Sequence, residues 1–267
     1  HGRSASEGPG TFPAQAEKRG RVALLSGCVQ PVLDPAINEA TIRLLNRVGV
    51  EVVIAKGETC CGSLAHHMGK SDQAHETAKH TIDAWIAEMD GEGLDAIIIT
   101  ASGCGTTIKD YGFMFREDPA YAEKAKRVSA IAKDITEYLE SLKLEPVAPP
   151  KPLTVAYHSA CSMQHGQQIK TTPKTLLSKA GFIVRDVPEG HLCCGSAGTY
   201  NMLQPDLSQQ LKARKLGNIA KVAPDVVATG NIGCITQLSD GAGVPVVHTI
   251  ELLDWAYGGP KPAGIAG

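Results

Sequence analysis

The sequence predicts an α/β fold of two tandem repeated domains, each a small parallel sheet flanked by helices, related by a pseudo-two-fold axis. Three observations predict it. Short β-branched runs alternate with longer helical patterns, the order that builds a parallel sheet covered on both faces. The alternation occurs twice, with matching words at matching spacing. A proline-rich stretch, residues 146–152, separates the two occurrences, where a domain boundary belongs.

Residues 1–20 are polar and rich in Gly, Ser and Pro, without the apolar core of a signal peptide, and read as a flexible linker. The first domain takes residues 21–145. It opens with a strand at 22–26, a helix at 35–48 and a strand at 50–55. A long helix at 72–89 follows, with Ala78, Ile82, Trp85, Ile86 and Met89 on one amphipathic face, and then a third strand at 96–100. The second domain, residues 153–258, repeats this with strands at 154–158, 182–187 and 226–229, helices around 173–180 and 207–222, and a fourth strand at 246–248. Residues 259–267 read as a tail.

The repeat is sharpest in the cysteines. Cys28 to Cys60 is 32 positions, as is Cys161 to Cys193; Cys61 to Cys104 is 43, against 40 from Cys194 to Cys234. All 8 cysteines fall into two Cys…Cys-Cys-Gly…Cys sets. The words around them match too: RLLNRVGVEV with TLLSKAGFIV, LDAIIITASGC with PDVVATGNIGC, DITEYL with HTIELL. Every cysteine lies just beyond the carboxyl end of a predicted strand, where open parallel sheets bind ligands. Cysteines far apart in sequence therefore converge, beside helix N-termini that favour negative charge.

Composition narrows the chemistry. A net charge of −2 and 4% aromatics give no platform for nucleic acid, and no apolar run reaches membrane-spanning length. Long helix and strand patterns argue for a cytosolic protein with cysteines as ligands rather than a secreted disulfide scaffold. Soft thiolates select zinc, copper(I) or iron–sulfur clusters. Neither half has the Cys-x-x-Cys knuckle usual for zinc; adjacent thiolates splay toward different irons of one cluster, and four per half match the ligand count of a 4Fe–4S cluster. Gly62 and Gly195 permit unusual backbone angles beside the paired cysteines. Buried structural cysteines and vicinal disulfides at Cys60–Cys61 and Cys193–Cys194 are the competing readings. His66, His67, His158, His165 and His248 lie near the motifs, either hydrogen-bonding a cluster sulfur or serving as satisfied polar groups at strand ends.

At these residues the chain resembles the cysteine-rich CCG domain family, over about residues 21–257. Members serve in heterodisulfide reductase, anaerobic glycerol-3-phosphate dehydrogenase, lactate utilisation and glycolate oxidase. The stretches GCVQP, INEATIRLLNRVGVEV and CCGSLAHHMGK are most similar to the C-terminal part of the glycolate oxidase iron–sulfur subunit. That subunit's N-terminal ferredoxin-like domain has no counterpart in these residues. The heterodisulfide relative adds a fifth cysteine three positions before the last; Ala101 and Asn231 stand there in this chain.

The resemblance implies an electron-transfer subunit of a glycolate-oxidising complex. Cys28, Cys60, Cys61, Cys104, Cys161, Cys193, Cys194 and Cys234 would hold 4Fe–4S clusters. Electrons would pass from a flavin-containing dehydrogenase subunit toward quinone or another acceptor. The chain has no Gly-x-Gly-x-x-Gly motif, so flavin and catalysis are expected in the partner, and the isolated chain is expected not to be catalytic. The expected location is the cytoplasm, extending to the inner face of the cytoplasmic membrane. Two alternatives stand beside this: a heterodisulfide-type thiol/disulfide redox subunit and a zinc-stabilised interaction scaffold.

Overall fold

A computed structural model describes residues 8–148, 151–196 and 200–266. The chain forms two compact units, His1–Tyr138 and Leu139–Gly267. Their division falls inside the helix Ile135–Leu142 rather than in the proline-rich stretch, of which residues 149–150 lie outside the described residues.

The first unit holds a five-stranded sheet. Its strands are β1 (Gly10–Phe12), β2 (Gly20–Leu24), β3 (Val50–Ile54), β4 (Ala96–Ile99) and β5 (Ala132–Asp134), in the order β1-β3-β2-β4-β5. β2 to β5 run parallel, and β1 lies antiparallel on β3. All four residues of β4 are buried, as a continuous apolar run in a two-faced sheet should be. The helix Ser71–Asp90 packs Ala78, Ile82, Trp85 and Ile86 inward as their spacing predicts, with Met89 partly buried behind them.

The second unit holds β6 (Thr154–Tyr157), β7 (Ile183–Asp186), β8 (Val226–Thr229) and β9 (Val246–His248), all parallel, in the order β7-β6-β8-β9. That is the order β3-β2-β4-β5 repeated. The helices Thr172–Lys179, Pro205–Lys221, Ile232–Ser239 and Thr249–Ala256 recur where the first unit has its own. No helix among the described residues is long and apolar enough to cross a membrane.

The linker expected over residues 1–20 needs correcting from Gly10 onward. Phe12 is 5% exposed and Gly20 already belongs to β2. The Asn46 side chain donates to Phe12 O at 3.1 Å and the Gln15 N–H to Asn46 O at 2.8 Å, which ties β1 to the sheet edge. Residues 1–7 lie outside the described residues. β5 is a strand that its own Ala-Lys-Asp, without strand-like composition, does not predict; only its match to β9 within the repeat points to it. In the expected tail, Ile265 is buried.

Candidate metal centres

Each centre is assembled from three strand ends. In the first unit Cys28 follows β2, the Cys60–Cys61 pair follows β3, and Cys104 sits in the first turn of the helix Ser102–Lys109 after β4. The second unit repeats this. Cys161 precedes the π-helical turn Ser162–Gly166, Cys193 and Cys194 follow β7, and Cys234 opens the helix Ile232–Ser239.

The sulfurs do converge. Cys28 Sγ lies 3.5 Å from Cys60 Sγ, and Cys61 Sγ lies 3.1 Å from Cys104 Sγ. In the second unit Cys194 Sγ is 3.4 Å from Cys234 Sγ. All eight are free thiols, so neither vicinal disulfide is formed.

The paired loop is held in one shape by its glycine. Gly62 has φ 87° and Gly195 φ 95°, the left-handed region. A Cβ on Gly62 would meet Ala74 O at 2.7 Å, and one on Gly195 would meet Ser208 O at 2.5 Å, so both positions also need the missing side chain. The turn aims backbone donors at sulfur: Gly62 N–H to Cys60 Sγ at 3.4 Å, Ser63 N–H to Cys61 Sγ at 3.4 Å, and Gly195 N–H to Cys193 Sγ at 3.2 Å. Tyr111, fully buried, donates to Cys61 O at 2.6 Å and Thr81 to Cys60 O at 3.2 Å, which braces the loop from beneath.

Proximity makes the thiols titrate against one another. Hydrogen bonding to Cys60 pushes Cys28 far up, while donation from Cys28 and Cys61 pulls Cys60 well down. In the second unit Cys193 pushes Cys161 up, and Cys193 with Cys234 pushes Cys194 up. Donation from Cys194 pulls Cys234 well down against its burial, with His158 assisting. Four thiolates this close repel, so full ionisation calls for a cation among them.

The histidines separate into distinct roles. His158 is 1% exposed, and its ring lies with Cys194 and Cys234 so that their donor atoms are within 4.8 Å of one another. His248 caps the helix Thr249–Ala256 instead, with Nδ1 accepting the Ile250 N–H at 3.0 Å. His66 and His165 are exposed, and the side chain of His67 lies outside the described residues. Asn231, in the fifth-cysteine position, is an N-cap whose Oδ1 accepts the Gly233 N–H at 3.0 Å; Ala101 occupies the same cap position without a side-chain bond.

Sequence reading missed several groups around the sulfurs. Glu58 is half-buried with its carboxyl turned inward, and burial of that carboxyl pushes its pKa up to about 7 against the pull of Ser26. Lys215, from the helix Pro205–Lys221, is 0% exposed; burial pushes its pKa down, and the charge of all four cysteines of the second set opposes that shift. A lysine on an amphipathic helix reads as solvated, so only the packing exposes it as internal.

Comparison with known proteins adds to this geometry. The family model described as a cysteine-rich domain, CCG, matches residues 22–109 and 155–239. The glycolate oxidase iron-sulfur subunit of Escherichia coli is 40% identical over 244 residues, covering 91% of this chain and 60% of that protein. A Bacillus subtilis protein named "Probable glycolate oxidase iron-sulfur subunit" is 30% identical over 260 residues, 94% of this chain and 58% of its own length. The chain thus spans about three fifths of these two relatives. Lactate utilization protein A of Geobacillus thermodenitrificans is 30% identical over 242 residues, 88% of this chain and 98% of that protein.

Proposed function

The chain belongs to the cysteine-rich CCG domain family, and from that premise we propose that it is an iron–sulfur electron-transfer subunit of a 2-hydroxy-acid oxidising complex. The donor substrate is a small 2-hydroxy acid of the glycolate or lactate type, oxidised at a flavin in a partner subunit, and electrons leave toward quinone. The observation that carries the reading is the convergence of four thiols at the strand ends of each unit.

The donor set fits the group. It is all sulfur, four per unit, and its members lie close enough to shift one another's ionisation through shared hydrogen bonds. A bound 4Fe–4S cluster supplies one-electron chemistry; the protein's share is placement and tuning. Cys28, Cys60, Cys61 and Cys104 would hold one cluster, and Cys161, Cys193, Cys194 and Cys234 the other. The N–H groups of Gly62, Ser63 and Gly195 draw charge from the sulfurs and favour their ionised form. Burial of Cys61, Cys194 and Cys234 keeps water from them. Thiol–disulfide chemistry of the heterodisulfide type is less well supported, because helix-capping positions stand where its fifth thiolate would be.

Anaerobic iron and acid-labile sulfide assays on the reconstituted chain test this. Iron should accompany sulfide, and Cys60→Ser and Cys193→Ser should each remove roughly half of both. Unchanged iron in both variants would sink the assignment, and zinc without sulfide would favour the scaffold reading. Given a 2-hydroxy acid and an artificial acceptor, the flavin-free chain should show no turnover.

A further inference from the structure

The two units differ at a pair of matched positions beside the sulfurs. In the first, Ser26 stands two residues before Cys28 and Glu58 two before Cys60. The Ser26 N–H and hydroxyl both donate to Glu58 Oε1, at 2.9 and 2.7 Å, so an internal carboxylate fills that seat. In the second unit the serine is kept and the acid is lost. Ser159 stands two residues before Cys161, while His191, two before Cys193, is exposed. The Ser159 hydroxyl is buried with no hydrogen-bond partner.

A cavity of about 320 Å³ opens beside it, lined by Ser159, Gln164, Lys170, Lys174, Asp186 and Lys215 among others, with no cysteine in its wall. Lys174 pairs with Asp186 at 3.0 Å, which leaves the lining with a surplus of positive charge. Lys215 is 0% exposed and its Nζ has no hydrogen-bond partner. Its first-unit counterpart is Thr81. Each lies seven residues beyond the helix residue whose carbonyl abuts the Cys-Cys-Gly glycine, Ala74 for Gly62 and Ser208 for Gly195. Thr81 is fully engaged with Thr59 N and Cys60 O, so the first unit has neither a stranded cation nor an open seat there.

A buried hydroxyl and a buried ammonium, both unpaired and on one cavity wall, are costly unless a ligand completes them. The geometry points to a binding site in the second unit for a small carboxylate anion. One of its oxygens takes from Ser159 the place that Glu58 Oε1 holds on Ser26, and Lys215 meets its charge. The first unit supplies the template, a carboxylate on a serine, so the site should prefer a planar carboxylate to a tetrahedral anion. The inference goes beyond electron transfer and does not depend on it. Because Lys215 also feels the second cysteine set, the ligand's charge would reach those sulfurs.

Calorimetric titration of the full chain with acetate, acetamide and inorganic phosphate tests the site. Acetate should saturate one site per chain, acetamide should give no binding heat, and phosphate should bind at least about tenfold more weakly. Ser159→Ala should weaken acetate by about tenfold. His191→Glu should close the site from within by restoring the first unit's arrangement; because His191 is exposed, its fold should be unchanged by circular dichroism. Absence of saturable acetate binding, phosphate binding equal to acetate, or wild-type affinity in both variants would each overturn the proposal.

Discussion

Asp134, at the end of β5, is 1% exposed, and burial pushes its pKa from 3.8 up to about 6. Its Oδ2 accepts from the Thr136 N–H at 2.9 Å and from the Thr136 hydroxyl. The folded pKa lies above the unfolded one, so this residue's contribution to stability is whole below about pH 4. It is lost as the pH rises through about 6, by roughly 3 kcal/mol. Urea midpoints should therefore fall for the wild type relative to Asp134→Asn between about pH 4 and 6, then run parallel. Parallel curves throughout would reject the assignment. His248 stands at the matched strand end and caps its helix with a neutral nitrogen, so the second unit lacks this carboxylate. The sequence places His248 at the end of the last strand, and only the direction of its ring distinguishes a cap from a sulfur partner. The eight cysteines were legible because spacing, type and count all agreed. Lys215 and Ser159 were not, since each looks ordinary until burial and missing partners are known.

At the scale of elements, the helix Ile232–Ser239 brings Cys234 to the site, and Asn231 starts that helix. Asn231→Ala should cost about 1 kcal/mol in urea unfolding, while Asn231→Asp, which keeps an acceptor, should stay near wild type. Equal stability of all three would show the cap to be idle. Long elements were readable from their period, as the inward face of Ser71–Asp90 illustrates. β1 and β5 were not, because Gly-Thr-Phe and Ala-Lys-Asp lack the adjacent valines that marked the equally short β9, and their pairing is decided by the neighbouring strand. The fixed order of β2, β3 and β4 nonetheless put the cysteine loops together beyond the carboxyl ends of adjacent strands, which is why the site survived errors at the margins.

Across the whole molecule one fold is used twice in different electrostatic settings. The first set of sulfurs has the acid Glu58 behind it, and the second has the lysine Lys215. Positive charge favours the reduced, more negative state of a cluster, so the second centre should have the higher midpoint potential. Redox titration of reconstituted Cys60→Ser, which keeps the second centre, against Cys193→Ser, which keeps the first, should give that order; the reverse order would rule out these side chains as the deciding charges. The sheets differ at their rims as well. β3, four of whose five residues are buried, has β1 laid along it. β7 has one strand neighbour among the described residues and ends in the exposed Arg185 and Asp186. An apolar rim with unpaired N–H and C=O groups invites other chains to join it, whereas a charged one discourages them. β1 is thus a guard on colloidal behaviour: a chain trimmed beyond Phe12 keeps every cysteine, yet it bares a surface on which copies can polymerise rim to rim.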